Sequence, residues 1–240
     1  MSNIVFVRHA QASFFSEDYD KLSKHGERQA AQLGKFWKAQ DKQLHEVYVG
    51  PCLRHRQTAE IALAASGCSV ANLVELPEFD EHQVDQLVIQ HQQTLAQEFP
   101  ELASLVSTHK NATQRSDQAR SFQCLFEAVS GLWIAGKAAR PGVETWLEFQ
   151  ERVNRGITEV LNGKQVAQRN GRQVAVFSSV GPISIAFQRA TQCSDELAVS
   201  TGWRLRNCSL TQAMFSTSRF TLDTFNTLAH LPDQSDWTYR

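Results

Sequence analysis

Four apolar residues, Ile4-Val5-Phe6-Val7, run directly into Arg8-His9. An arginine offers a rigid, permanently charged fork for an oxyanion. A histidine can serve as nucleophile, acid, base or ligand near neutral pH. Other short apolar runs also lead into polar groups. Val47-Tyr48-Val49 is followed by Gly50-Pro51 and then Arg54, and Val174-Ala175-Val176-Phe177 by Ser178-Ser179. Glu78 follows the run Val70–Leu76 and Pro77. Pooled, these are two guanidinium forks, an imidazole, two hydroxyls and a carboxylic acid. Paired arginine forks with helix N-termini suit a tetrahedral dianion such as phosphate. An imidazole among them can attack phosphorus, and a carboxylic acid can protonate the leaving oxygen. Guanidinium groups stabilise charge on the transferring oxygens. The residue types therefore propose phosphoryl transfer through a phosphohistidine at His9.

The groups converge only if the apolar runs are strands of one sheet whose carboxyl ends share an edge. Their length and β-branched content fit strands buried on both faces. Between the first two, Ser23 predicts a helix N-cap with Glu27 in the first turn, and Ala30, Leu33, Phe36 and Trp37 recur at helical spacing to near Gln40. A second helix is expected over about Leu53–Ala65, with Ala59, Ala62, Leu63 and Ala65 on its apolar face. Strand-helix-strand steps of this kind predict an α/β layered domain. From Val84 to Leu132 the period is helical, so about 80–140 reads as a helical insertion over one edge of the sheet. Within it the polar stretch Thr108–Gln118 reads as a mobile loop. Trp146, Phe149, Val153, Ile157, Val160 and Leu161 mark an amphipathic helix, and another runs from Pro182 through Arg189. Asn170-Gly171 is a turn, and Ser209–Phe215 with Phe220–Phe225 reads as a hairpin turning at Ser216-Thr217-Ser218. The residues after Pro232 are polar and are expected to be loose.

Composition removes other classes. With 24 basic and 25 acidic residues among 240, the net charge of −1 gives no general attraction to nucleic acid or anionic membrane. No apolar run approaches membrane-spanning length, and the N-terminus lacks the basic region and long apolar core of a signal peptide. Five widely spaced cysteines, with no Cys-x-x-Cys pair, fit reduced thiols in a cytoplasmic protein. The eight histidines show no metal-ligand spacing, so no metal site is expected.

At this point several segments, in order, resemble the histidine phosphatase superfamily, also called the phosphoglycerate mutase-like family. Arg8-His9-Ala10 is similar to its Arg-His-Gly motif. Leu22-Ser23-x-x-Gly26-x-x-Gln29-Ala30 is similar to its first-helix signature. Pro51-x-x-Arg54-x-x-Gln57-Thr58-Ala59 resembles its second motif, usually Ser-Pro-Leu-x-Arg-Ala-x-Gln-Thr-Ala. Leu76-Pro77-Glu78-Phe79 looks like the segment that supplies its acid, and Gly142-x-Glu144-Thr145-Trp146 like its Gly-Glu-Ser stretch. Val174–Ile183 takes the place of its Val-Ser-His-Gly segment, and Asn226–Leu231 of its Asn-x-x-x-His-Leu run. The resemblance implies a three-layer α/β/α sandwich with a mainly parallel central sheet and a helical insertion over the active-site edge, in a single domain over 1–240. It implies a phosphomonoester hydrolase of the cytoplasm, acting on a small phosphorylated substrate, that needs no cofactor and no metal. His9 would be the nucleophile and Glu78 the acid, with Arg8 and Arg54 holding the phosphoryl group.

The departures are specific. Ala10 stands for the motif's glycine, where a β-carbon would crowd the loop at positive φ. Ala12 and Phe15 replace the usual Thr and Asn, leaving Gln11 or Ser13 to donate to phosphate. Ser179 stands where the family has its second histidine, which cradles the phosphoryl group. Glu81 lies close enough to Glu78 to rival it as the acid. His55 and Arg56 read as solvent-facing, although His230, His82 or His55 could fold back to assist. Ser178 alone reads equally as a helix cap. Three other functions compete: a weak or inactive member that binds a phosphorylated metabolite or protein, a phosphoglycerate mutase-type phosphotransferase, and a serine hydrolase using Ser179-Val180-Gly181. The last lacks the leading glycine of a nucleophile elbow, because Phe177 stands there.

Overall fold

The apolar runs become strands in the computed structural model, which describes residues 1–13, 20–68, 73–163, 171–216 and 218–239. β1 (Ser2–Arg8), β2 (Glu46–Val49), β3 (Leu73–Glu75) and β4 (Gln173–Ser178) run parallel, and β5 (Leu210–Phe215) and β6 (Phe220–Thr227) form the expected antiparallel hairpin. The sheet order is β3-β2-β4-β1-β5-β6, so the hairpin joins β1 through β5, antiparallel. This is an α/β fold with a mixed, mostly parallel sheet. The loop 14–19 with Phe15, the first residues of the third apolar run at 70–72, Asn170 and Thr217 lie outside the described residues.

Alternation along the strands sorts the sheet into two faces. Val5, Val7, Val47, Val49, Ala175 and Phe177 share one core cluster with Ala30, Leu33 and Trp37 of α1 (Lys24–Ala39) and Ala59 and Ala62 of α2 (Leu53–Ser66). On β1 the intervening Ile4 and Phe6 are equally buried and point away, and Phe6 meets Phe79 edge to face at 6.4 Å between centroids. Ser23 caps α1, its side chain accepting from Gly26 N. Gly34 lies against the Ala62 carbonyl, where a β-carbon has no room. α7 (Val180–Thr191) packs on β1, β5 and β6. α8 (Asp195–Gly202) follows it; sequence reading missed this helix, although Ser194 caps it and Asp195 and Glu196 occupy its first turn.

Contacts divide the chain into two compact units, Met1–Glu81 with Arg152–Arg240, and His82–Glu151. The second is helical: α3 (Val84–Glu98), α4 (Ala103–Asn111), α5 (Arg115–Ile134) and the first residues of α6 (Trp146–Asn162). Its core brings His82 against Phe126, Trp133 and Phe149, with ring centroids 5.5–6.0 Å apart. The loop expected at Thr108–Gln118 shrinks to a turn, because α4 extends to Asn111 and α5 begins at Arg115. Residues 114–120 are exposed, so a solvated helix start there carries no apolar period to reveal it. No described helix is long and apolar enough to cross a membrane.

The tail is not loose. Gln29 Nε2 donates to Asp236 O at 2.7 Å, Trp237 Nε1 to Leu231 O at 2.9 Å, and Arg8 Nη2 to Tyr239 O at 2.6 Å. Its polar composition hid this because its partners Arg8, Gln29 and Asn207 are distant in sequence.

At the other end of the strands a buried ion pair joins elements distant in sequence. Arg172 donates through Nε to Glu46 Oε1 at 2.6 Å and through Nη2 to Glu46 Oε2 at 2.9 Å. Its remaining hydrogens reach the carbonyls of Leu161 and Val160 at the end of α6, and Tyr48 donates to the same carboxylate. Both partners are about 4% exposed. Removing one partner leaves an uncompensated buried charge. Glu46→Ala is expected to lower stability by about 3–5 kcal/mol in chemical denaturation, and a loss below about 1 kcal/mol would contradict this account.

Candidate active site

The strand register brings the polar groups to one edge. Arg8 pairs with Ser178, and Val49 pairs with both Phe177 and Glu75. His9, Ser179, Gly50 and Leu76 therefore leave the sheet side by side. His9 N donates to Ser178 O at 2.8 Å, Gly50 N to Phe177 O at 2.9 Å and Leu76 N to Val49 O at 2.9 Å.

The His9 loop is held by its backbone. Ala10 N donates to Thr58 Oγ1 at 3.0 Å and Gln11 N to Gln29 Oε1 at 2.9 Å. Leu22 N donates to Gln57 Oε1 at 2.9 Å. Gly26 faces the Gln11 carbonyl so closely that a β-carbon would overlap it. The motif residues Gly26, Gln29, Gln57 and Thr58 thus act on the loop as supports. Ala10 is not among the residues with positive φ, and its methyl joins the core cluster, so the strain expected there does not arise.

His9 is 8% exposed. Its Nδ1 lies 2.8 Å from Ala10 O. A carbonyl only accepts, so Nδ1 carries the hydrogen and Nε2 of the neutral ring holds the lone pair. Burial, followed by the positive charges of Arg54 and Arg8, holds the His9 pKa well below its usual value. The ring is neutral and unprotonated at Nε2 at physiological pH, the state a nucleophile needs.

The two arginines differ. Arg54, near the start of α2, donates through Nη1 to Asp20 Oδ1 at 2.6 Å and through Nη2 to Ser179 Oγ at 3.4 Å. Asp20 Oδ2 also accepts from Leu53 N at 2.7 Å, the first amide of α2. Arg8 instead bonds to backbone: Nη1 to Leu205 O and Nη2 to Tyr239 O, each at 2.6 Å. Both of those arms anchor the segments beside the loop, while the charge still bears on His9. Gln11 Oε1 accepts from Ser23 Oγ at 2.9 Å, at the head of α1. Ser13 N bonds to Lys21 O at 2.7 Å.

Glu78 lies in a single 3-10 turn, Pro77–Phe79. Arg152 Nη1 bonds the carbonyls of Pro77, Glu78 and Asp80, and Ser178 Oγ donates to Phe79 O at 2.7 Å, so Ser178 ties this turn to the strand edge and does not cap α7. Gly156 has no side chain where the Glu78 β-carbon packs. Glu81 accepts at Oε1 from Gly181 N at 3.0 Å, in the first turn of α7. Its rival, Glu78, is half-buried, and among the described residues its carboxylate accepts no hydrogen bond.

Ser179 is the N-cap residue of α7, with φ −111° and ψ −178°. That is ordinary extended backbone, not the strained turn of a nucleophile elbow. Its Oγ meets the ring of His55, whose Nε2 is 2.6 Å away. His55 is 0% exposed, so the solvent-facing reading was wrong. The buried face of α2 is His55, Thr58, Ala59, Ala62 and Ser66. Extending the apolar period back one turn from Ala59 reaches His55, a signal that the sequence carried. Arg56, by contrast, is on the surface, paired with Glu75 at 2.7 Å. Asp20 gave no comparable signal, because only folding brings it to Arg54.

Three imidazoles, His9, His55 and His230, are buried. Burial, with Arg54 next, lowers His55; burial lowers His230 to about 4. Below the unfolded value of 6.5 the unfolded chain takes up protons that these rings refuse when folded. Their contribution is therefore complete above about pH 6.5 and falls as pH drops toward each folded pKa, at up to about 1.4 kcal/mol per pH unit per ring. Urea denaturation at pH 7.5 and 5.0 should show lower stability at pH 5.0. His230→Phe should shrink that difference, and an unchanged difference would contradict the assignment.

The sequence profile of the histidine phosphatase superfamily (branch 1) matches residues 4–133 and 125–228. A comparison with curated proteins gives no match. Among solved structures, YhfR of Bacillus stearothermophilus is similar at 15% identity and TM-score 0.66, over 96% of this chain and 100% of that one. A phosphoglycerate mutase of Bacillus anthracis is similar at 17% identity and TM-score 0.62, over 96% and 95%. A mutant phosphoserine phosphatase of Entamoeba histolytica, solved with phosphoserine, is similar at 12% identity and TM-score 0.62, over 96% and 100%. At such identities the structures establish the shared fold. The profile, which spans most of the chain, establishes more: this protein belongs to branch 1 of the histidine phosphatase superfamily.

Proposed function

We propose that the chain is a phosphomonoester hydrolase acting through a phosphohistidine at His9 Nε2, on a small phosphorylated substrate. One observation carries this reading. The Nδ1–H of His9 is committed to Ala10 O, and burial beside two guanidinium groups keeps the ring neutral, leaving the Nε2 lone pair for phosphorus. In the first step Nε2 attacks and the ester oxygen leaves with a proton from Glu78. In the second, Glu78 takes a proton from water, the water oxygen attacks phosphorus, and the His9–phosphorus bond breaks. Arg54 and the Ser179 hydroxyl hold the phosphoryl oxygens, Gln11 and Ser13 border the loop, and Arg8 contributes charge while fixing the loop's supports. No metal or cofactor is invoked. Fold neighbours named as a phosphoserine phosphatase and a phosphoglycerate mutase support a phosphorylated small molecule as substrate. Five free thiols support a reducing compartment such as the cytoplasm.

A second reading, a phosphate-binding member with little turnover, is favoured by Arg8, two of whose nitrogens are bonded to carbonyls. Acid quenching during turnover of p-nitrophenyl phosphate decides between them. The hydrolase reading expects acid-labile phosphate on His9 and a loss of at least about a thousandfold in kcat for His9→Ala. Turnover that persists in His9→Ala would overturn it. Phosphate binding without turnover in the unaltered protein would establish the second reading.

A further inference from the structure

Resting on the phosphoryl-transfer reading, we infer that His55 supplies, through the Ser179 hydroxyl, the second imidazole that the family's pattern places directly after β4. The bond between Ser179 Oγ and His55 Nε2 is 2.6 Å long and fully buried, and the His55 ring centroid lies 5.8 Å from that of His9. An imidazole therefore stands beside the nucleophile, although it comes from α2.

Hydrogen-bond accounting gives it a task. A serine hydroxyl has one hydrogen to give and two lone pairs to fill. Arg54 Nη2 donates to Ser179 Oγ at 3.4 Å, and His55 Nε2 lies 2.6 Å from the same oxygen; with its hydrogen on Nε2, as this role requires, His55 fills the other lone pair. The single hydroxyl hydrogen is then left for a phosphoryl oxygen, with a guanidinium and an imidazole polarising it from behind. His55 touches no substrate in this arrangement. It is a positioning residue that makes Ser179 a better donor than a lone serine.

Three departures from the usual family pattern meet here. Ser179 stands for histidine, His55 for alanine, and Gly50 for serine. A β-carbon on Gly50 would lie 2.5 Å from His55 Nδ1 and 2.5 Å from Phe79 O. The space for the ring therefore depends on Gly50 having no side chain. Relative to that pattern the larger residue stands on α2 and the smaller one in the β4–α7 turn, and position 50 beside His55 has no side chain. This reciprocity is what volume conservation in a close-packed site requires.

The test is a double-mutant cycle in the full chain, with turnover of p-nitrophenyl phosphate and affinity for vanadate as readouts. His55→Ala and Ser179→Ala should each lower kcat about tenfold or more with KM within about threefold, and the double variant should be no worse than Ser179→Ala alone. The exchange His55→Ala with Ser179→His should recover at least about tenfold over His55→Ala. His55→Gln, which keeps an N–H donor, should retain more activity than His55→Leu, which only fills the space. Full activity in His55→Leu, multiplicative losses in the double variant, or no recovery in the exchange would overturn the proposal. A protein that binds vanadate but does not turn over fails the hydrolase reading instead. The same cycle read in vanadate affinity then decides on His55, coupling supporting it and independent losses overturning it.

Discussion

Three consecutive amide hydrogens leave the end of β1, and each needs an acceptor away from water. His9 N finds Ser178 O on β4, Ala10 N finds Thr58 Oγ1 on α2, and Gln11 N finds Gln29 Oε1 on α1. An unpaired buried amide costs about 1–3 kcal/mol. The loop can therefore take its observed path only when one strand and two helices are already in place around it. The parallel pairing of β1 with β4, the packing of α1 on α2 and the cap at Ser23 all serve this requirement. The imidazole of His9 inherits its orientation from it.

Electrostatics is layered on that frame. Two guanidinium groups stand near buried imidazoles, an arrangement that keeps the rings uncharged. The Asp20 carboxylate lies against Arg54 and the first amide of α2. A carboxylate there uses the same donors that suit phosphate. Asp20 thus offsets part of the positive charge that Arg8 and Arg54 bring together.

Much of the frame was legible in the sequence. β-branched runs gave the strands, the Ser23 cap gave the start of α1, and the hairpin followed from two apolar stretches around a short turn. Arg8-His9, Arg54 and Ser179 reach one edge because a parallel sheet sends all its carboxyl ends the same way. What escaped depends on contacts far apart in sequence. Nothing local says that Arg8 will bond Tyr239, or that Asp20 will meet Arg54. The tail looked loose because its side chains are polar, although its carbonyls and the side chains of Trp237 and Thr238 are bonded to the fold. His55 was hidden differently: its place on the buried face of α2 was readable, but a histidine beside two arginines looked like surface charge. The start of α5 carried no signal, since a helix exposed on all sides has no apolar stripe.

The Arg8 clamp bears on how the protein folds. The carbonyl of His9 accepts from Cys208 N and Asn207 Nδ2, and Arg8 closes on Leu205 and Tyr239. Asn207 in turn holds Thr238 through its own amide and side chain. The bonds of Arg8 and His9 join residues 197–231 positions apart, so each closes a long stretch of chain. Contacts of such separation form slowly, because the entropy of closing the chain is lost before they reward it, so the His9 loop gains its last supports late in folding.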